Sequence, residues 1–269
     1  MSQSSVPTTF SVEVGGRDLL ASIPWSIVNS PTRLAALYEP FCPWEERDDL
    51  AFYLELVMRA DAVLDVGCGT GTQLHRARES GHRGRLCGLD PALGMLEQAQ
   101  ARGDVEWVLG DLTSVTWKRE FDLVVMSGHA FQVFVDDSDL RASLGAIRAA
   151  LTDEGRFAFE TRNPLVREWE RWTPQHTVEA TDATGAPVWM AHEVETPVAG
   201  DVVRFTVTYT SPGWDRPEVS HSTLRFLDAA TLQAFLAGAG LVVEQQFGDW
   251  TLAPLTGTSP EIITIARQG

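Results

Sequence analysis

The run Ala62–Val66 (AVLDV) is short and almost wholly apolar, and it opens directly into Gly67-Cys68-Gly69-Thr70-Gly71 and a helix-like stretch, TQLHRARES. No other feature constrains the fold as much. A strand without a polar face must be buried on both sides, the condition of a parallel sheet covered by helices. Glycines let the chain turn sharply at the end of such a strand and approach a ligand without Cβ clashes. The N–H groups that begin the following helix favour a polar or anionic ligand.

The neighbouring segments repeat this pattern. Arg47–Ala60 has apolar residues at helical spacing, and Arg85–Asp90, Val105–Gly110, Phe121–Gly128 and Arg156–Thr161 read as further buried strands. Helices are expected from Pro91, where proline suits a first turn, and from Ser138, capped by Asp137 or by Ser138 itself. Such alternation gives a mainly parallel sheet, with ligands at the carboxyl ends of its strands.

From 176 to 226 the pattern changes. Val188–Val194, Asp201–Thr210 and Val219–Leu227 read as strands, separated by turn signals at Thr184-Gly185, Ala199-Gly200 and Ser211-Pro212-Gly213. Val203, Phe205, Val207 and Tyr209 share one face of the second of these. A helix from Asp228 to Gly238 or Gly240 and strands Leu241–Phe247 and Glu261–Ala266 follow. The expected division is an N-terminal extension (1–34), a core (35–175), an antiparallel β insertion (176–227) and the end of the core (228–269). Phe10–Val14 is a further strand candidate.

Charge and composition narrow the partners. The net charge of −16 repels phosphate backbones and argues against a nucleic-acid partner. The basic residues of Arg76–Arg85 are few and spread, as on a solvated face. Three cysteines, Cys42, Cys68 and Cys87, and six scattered histidines show no zinc spacing and no HExxH, so no metal is expected and the thiols read as reduced. No apolar run approaches the ~18 residues of a membrane helix. MSQSSVPTTF lacks a basic region followed by an apolar one, and a cytoplasmic, non-membrane location is expected.

Two details of the loop bear on its ligand. Its glycines are spaced GxGxG, whereas the dinucleotide fingerprint is GxGxxG. Asp65 sits two residues before the first glycine, where its carboxylate would repel a pyrophosphate and welcome a cation. Asp90 ends the next strand, about 20 residues beyond the glycines, where a carboxylate accepts both hydroxyls of a ribose or caps a helix before Pro91. Asp111, in Gly110-Asp111-Leu112, either accepts from an adenine amino group beside the Leu112 N–H or closes an Asx turn.

VLDVGCGTG (Val63–Gly71), GLD (Gly88–Asp90) and GDL (Gly110–Leu112) resemble the three cofactor-binding motifs of class I, Rossmann-like, S-adenosylmethionine (SAM)-dependent methyltransferases, in order and at the usual spacing. FDLVVMSGHAFQVF (Phe121–Phe134) resembles the fourth motif region, LTDEGRFAFETRNP (Leu151–Pro164) the entry to strand five, and RFLDAATLQAFLAGAGL (Arg225–Leu241) the helix before the closing hairpin. The resemblance spans about residues 35 to 267. It implies an α/β fold with a seven-stranded, mostly parallel sheet, its last strand antiparallel, and an antiparallel β insertion of the small-molecule type after strand five. It implies SAM as methyl donor and S-adenosylhomocysteine as product. Asp65, Gly67, Gly69 and Gly71 would surround the methionine portion, with Cys68 inside the loop and given no chemistry. Asp90 would hold the ribose, with Pro91 and Met95 near the adenosine. Gly110, Asp111 and Leu112 would hold the adenine. Ser127, Gly128 and His129 would form the floor beneath the sulfonium, and Tyr38 would cover the cofactor.

Methyl transfer is an in-line displacement that needs the acceptor held about 3–3.5 Å from the methyl carbon. A base is required only if the acceptor arrives protonated. His129 is the best-placed base, or else it packs on the cofactor. Arg162 and Asn163, past strand five, either orient a small-molecule acceptor with an N or O nucleophile or are ordinary loop residues. Trp169, Trp172, Trp189, Trp214 and Trp250 fall late in the chain. Trp169 and Trp189 would line an acceptor pocket under the insertion, a lid, or else pack a core or a homodimer contact. The rival readings are an NAD(P)-dependent oxidoreductase, opposed by Asp65 and the glycine spacing, and a non-catalytic SAM-binding protein, whose mark would be a damaged loop.

Overall fold

Adjacent residues of the first buried strand enter different cores, which is why its sequence shows no polar face. The computed structural model describes residues 32–269, and the strand candidate Phe10–Val14 lies outside them. In chain order the helices are α1 (Thr32–Ala35), α2 (Tyr38–Phe41), α3 (Asp48–Val57), α4 (Thr72–Glu79), α5 (Leu93–Ala99), α6 (Asp137–Ala150) and α7 (Ala229–Gly238). The strands are β1 (Ala62–Val66), β2 (Arg85–Asp90), β3 (Glu106–Leu109), β4 (Phe121–Met126), β5 (Leu151–Arg162), β6 (Thr177–Thr181), β7 (Pro187–Val194), β8 (Val202–Thr210), β9 (Glu218–Arg225), β10 (Leu241–Phe247) and β11 (Glu261–Gln268). Val63 packs with Tyr53, Val57, Leu74 and Ala77 of α3 and α4. Leu64 packs with Leu140, Leu144, Leu232 and Leu236 of α6 and α7.

The larger sheet has seven strands in the order β10-β11-β5-β4-β1-β2-β3. β1 pairs in parallel with both β2 and β4, so the strand order reverses at β1. That reversal opens a crevice at the carboxyl ends of β1 and β4. β11 runs antiparallel to β5, with Glu261 opposite Arg162. The first residue of β11 therefore lies at the same end as the last residues of β4 and β5.

β6 to β9 form a separate antiparallel sheet. Val203, Phe205, Val207 and Tyr209 are buried on its inner face as the alternation predicts. Leu34, Leu37 and Phe41 of the N-terminal helices cover that face together with Trp169 and Trp172. Gln132 ties the two sheets, accepting from Arg162 Nη1 (2.9 Å) and donating to the Arg225 carbonyl (3.0 Å).

Several boundaries differ from expectation. α5 starts at Leu93 rather than Pro91, because Asp90 Oδ1 accepts the Ala92 N–H (2.8 Å) and holds Pro91 and Ala92 in a turn. The residue flanking α6 is Asp136, with no side-chain cap; Asp137 is already helical and pairs with Arg141 and Arg225. β5 starts at Leu151, but its register on β4 skips between Leu151 and Arg156, and the expected start is where regular pairing begins. β6 was not expected from the sequence: this edge strand alternates only between exposed and half-buried residues, so it carries no apolar signal. Arg76 and Arg85 form ion pairs, with Glu79 and with Glu106 and Glu120. Among the described residues no helix is long and apolar enough to cross a membrane.

The ring of Phe159 stacks between Phe131 (4.2 Å between centroids) and Phe157 (4.6 Å), fully buried. Phe159→Ala should cost about 3–5 kcal/mol in urea unfolding. Val242→Ala, on the exposed edge strand β10, should cost less than about 1 kcal/mol. Equal losses in the two variants would show that the aromatic stack does not anchor the core.

Candidate active site

The glycine loop is fastened from below by the next strand. Gly67 and Cys68 N–H groups both donate to the Leu89 carbonyl (2.7 and 3.2 Å). Asp90 Oδ2 accepts the Gly69 N–H (2.8 Å) while its Oδ1 holds Ala92. The Asp90 carboxylate thus joins the loops that follow β1 and β2, and each oxygen keeps a second lone pair for another donor. At Gly69, with φ +56°, a Cβ would meet nothing within 4 Å, so the backbone there faces open space.

Asp65 lies at the end of β1, 1% exposed, and its Oδ1 has no hydrogen-bond partner among the described residues. Burial and the neighbouring Asp90 charge push its pKa up to about 7, against the pull of the Arg47 guanidinium. Arg47 comes from the segment before α3. Asp49 holds its Nε (2.7 Å), and its Nη1 donates to the Tyr38 hydroxyl (3.2 Å). Burial alone would raise the pKa of Asp49, but Arg47 overrides it and the net shift is downward. Above the loop, the Glu39 carboxylate accepts from the hydroxyls of Thr70 and Thr72. The partly open cleft measures about 30 Å³, and Tyr38, Glu39, Arg47, Asp65, Gly69 and Ser127 are among its walls.

A second polar cluster surrounds the turn after β4. Gly128 has φ +67°, which favours glycine, and a Cβ there would lie a tight 3.2 Å from Arg47 Nη2. His129 follows in the left-handed region at φ +61°. A non-glycine residue in that region is strained by about 1–2 kcal/mol. Its N–H donates to Glu160 Oε1 (2.6 Å), which holds the turn. Nε2 of the imidazole lies 3.1 and 3.0 Å from the two oxygens of Glu261, and Nδ1 has no partner among the described residues. Burial and Arg162 lower the His129 pKa to about 4, although Glu160, Glu168 and Asp49 pull the other way. Glu160 is fully buried, also accepts the Tyr53 hydroxyl, and is pushed up to about 7 by burial. Arg162 pairs with Glu168 (3.0 Å) and lies 5.3 Å over the Trp172 ring.

The structure gathers Tyr38, Asp65, Gly67, Cys68, Gly69 and Ser127 around the cleft. Met95 packs beside Tyr38, Ala35 and Ala92, and Cys68 beside Leu96, Ala99 and Trp107. Gly71 precedes α4, and the Gly110 N–H donates to the Asp90 carbonyl (3.1 Å). Asp111 Oδ1 accepts from the N–H and hydroxyl of Thr113 and the N–H of Ser114, an Asx turn. The Leu112 side chain belongs to the core.

Residues expected on the acceptor side are dispersed. Asn163 Nδ2 donates to the carbonyls of Thr256 (3.2 Å) and Ser259 (2.8 Å), joining two loops. Trp169 packs edge-on against Phe226 and, with Trp172, lines a separate hollow of about 550 Å³. Trp189 donates to Glu179 and reaches neither hollow. Sequence reasoning missed Glu39, Arg47, Asp49, Glu160 and Glu261. A usable signal existed for Glu160 and Glu261: the first is a charge within an apolar strand run, as Asp65 is, and the second is a charge directly before one. Arg47 and Asp49 lie in no motif. Among the described residues no cluster of His, Cys, Asp and Glu is arranged to hold a metal ion.

Residues 63–155 match the family model of a methyltransferase domain. The chain is 30% identical over 173 residues to the 2-phytyl-1,4-naphtoquinone methyltransferase of Thermosynechococcus vestitus, covering 56% of this chain and 75% of that one. It is 34% identical over 105 residues to the cypemycin N-terminal methyltransferase of a Streptomyces species, covering 38% of this chain. It spans less than half of that relative, 42%. In fold it resembles the sugar N-methyltransferase KedS8 of Streptoalloteichus, with a TM-score of 0.67, 18% identity, and coverage of 99% and 100%. The strand order, the carboxylate beside the glycine loop and these matches agree: the chain belongs to the class I, Rossmann-like, SAM-dependent methyltransferases.

Proposed function

We propose that this protein transfers the methyl group of SAM to the amine of a small molecule. The observation that carries the cofactor half is the unpartnered, buried oxygen of Asp65 at the glycine loop. A carboxylate there suits an ammonium and opposes a phosphate. Asp65 would take the amino group of the methionine portion and Arg47 its carboxylate. Asp90 would add ribose hydroxyls to the two N–H groups that it already holds. The Asp111 turn occupies only Oδ1, so its other oxygen would accept from the adenine amino group beside the Leu112 N–H, with Pro91 and Met95 against the ring. SAM, when bound, supplies a methyl group activated by its sulfonium. α1 and α2 would move outward to admit it, since the cleft of about 30 Å³ has room for roughly one water.

The acceptor half rests on the charges around His129. Asp49, Glu160, Glu168 and Glu261 face Arg47 and Arg162 there, so carboxylates outnumber guanidiniums. Such a balance favours a cationic amine over a phosphate or carboxylate. His129 stays neutral near pH 7 and offers Nδ1 as the proton acceptor. The names of the cypemycin and sugar N-methyltransferases support an amine as the acceptor. The insertion 176–227 would wall the acceptor side, and the hollow at Trp169 and Trp172 would take the part of the acceptor that does not react.

Binding an ammonium favours the ionised form of Asp65. Affinity for S-adenosylhomocysteine should therefore rise with pH up to about 7 and then level off. Asp65→Asn should flatten this profile and weaken binding about 10-fold or more by calorimetry. The folded-state pKa lies above the unfolded value, so without ligand the Asp65 carboxylate destabilises the fold as pH rises from about 4 towards 7. Asp65→Asn should then melt no lower than the parent at pH 8. A wild-type profile without pH dependence would remove Asp65 from the cofactor site.

Methyl transfer should be detected with free amino sugars or peptides bearing a free N-terminus, and not with the matched hydroxyl compounds. His129→Ala should lower kcat by about 10²-fold or more, with affinity for S-adenosylhomocysteine within about 2-fold. Methylation of the hydroxyl compounds alone would overturn the amine assignment. A rise in melting temperature with NAD(H) and none with S-adenosylhomocysteine would overturn the cofactor assignment.

A further inference from the structure

We propose that Glu261 is a positioning residue, holding the His129 imidazole in the orientation and tautomer that leave Nδ1 free to accept a proton from the acceptor. This rests on the reading of His129 as the base. A neutral imidazole carries one N–H, and an ionised carboxylate can only accept. Both Glu261 oxygens lie within hydrogen-bond distance of Nε2 (3.1 and 3.0 Å), so the proton belongs on Nε2. Nδ1 then presents its lone pair, and it is the ring nitrogen without a partner among the described residues. The two carboxylates have separate tasks. Glu160 accepts the backbone N–H and holds the left-handed turn, whereas Glu261 grips the ring.

The other charged groups facing the imidazole are Asp49 ahead of it on α3, Glu160 and Arg162 on β5, and Glu168 in the turn after β5. Among the hydrogen bonds and ion pairs of the described residues, the side-chain partner of Nε2 is Glu261. It reaches there because β11 runs antiparallel to β5 and begins opposite Arg162. The acceptor's ammonium first gives a proton to Nδ1, which frees the nitrogen lone pair; as the N–C bond then forms, the S–C electron pair stays on sulfur. Glu261 remains ionised and steadies the resulting imidazolium, a division of labour known from other histidine–carboxylate pairs.

The test uses the full chain with ¹⁵N-labelled histidine. The protein has six histidines, and the spectrum of His129→Ala assigns the one in question. At pH 7 the wild type should show Nδ1 in the unprotonated range and a proton on Nε2 that is protected from exchange. Glu261→Gln keeps an oxygen that accepts from Nε2 and should keep this signature. Glu261→Ala should lose the protection and mix the tautomers. A proton on Nδ1 in the wild type, once the His129 signal is assigned, would overturn the proposal, as would an unchanged ring spectrum in Glu261→Ala. In turnover with an amine acceptor, Glu261→Ala should lower kcat about 10-fold or more, leave KM for SAM unchanged, and add no further loss to His129→Ala. Equal losses on both backgrounds would overturn the positioning role. Unimpaired turnover in His129→Ala would instead remove the base itself, while the ring spectrum still reports on Glu261.

Discussion

Burying an ionised carboxylate without a partner costs several kcal/mol, on the order of the net stability of many domains. This fold buries two at the tips of adjacent strands. Asp90 is compensated, because its oxygens accept N–H groups from two loops. Asp65 is not: one oxygen bonds to nothing and its pKa rises to about 7. Such a site costs stability on its own terms, and under the proposed function an arriving ammonium would offset that cost. The glycine loop, the Arg47 guanidinium and the N-terminal helices are all arranged around that deficit.

The parallel sheet puts strand ends side by side, and the reversal of strand order at β1 parts the loops above them. Everything else in the site comes from elements that the sheet must recruit. α1 and α2 are too short to fold alone, and they are held by the inner face of the second sheet through Leu34, Leu37 and Phe41. The same segment bears Tyr38 and Glu39 over the glycine loop. The insertion therefore reaches the cleft at the glycine loop indirectly, by holding the segment that covers it. Gln132 couples the second sheet to Arg162 beside the His129 turn, so both halves of the site share one support.

What could be read from the sequence was local. β1, β2 and β10 run over the expected residues, and the buried faces of β8 follow the alternation, because these signals depend on neighbours in the chain. Asp65 was legible for the same reason, since its meaning comes from the glycines beside it. β6 was not, because an edge strand with no buried face leaves no periodicity. Asp111 had two readings, and they do not exclude each other, because Thr113 and Ser114 engage only one of its oxygens. Arg47 approaches Gly128 across some 80 residues of sequence, and a lone arginine in an N-terminal helix region has many surface roles.

Glu160 and Glu261 mark the boundary between these cases. Glu160 stands inside a run otherwise suited to a fully buried strand, and Glu261 directly precedes one; a charge in such a place is expensive unless it is compensated. That rule, applied to β5 and β11, would have singled out both residues. It would not have joined them to His129, because the link depends on β11 running backwards. In a parallel arrangement the first residue of β11 would lie at the opposite end of the sheet from the His129 turn. The reversed last strand is thus a chemical device as well as a topological one: it delivers a carboxylate to the end of the sheet where the ligands bind.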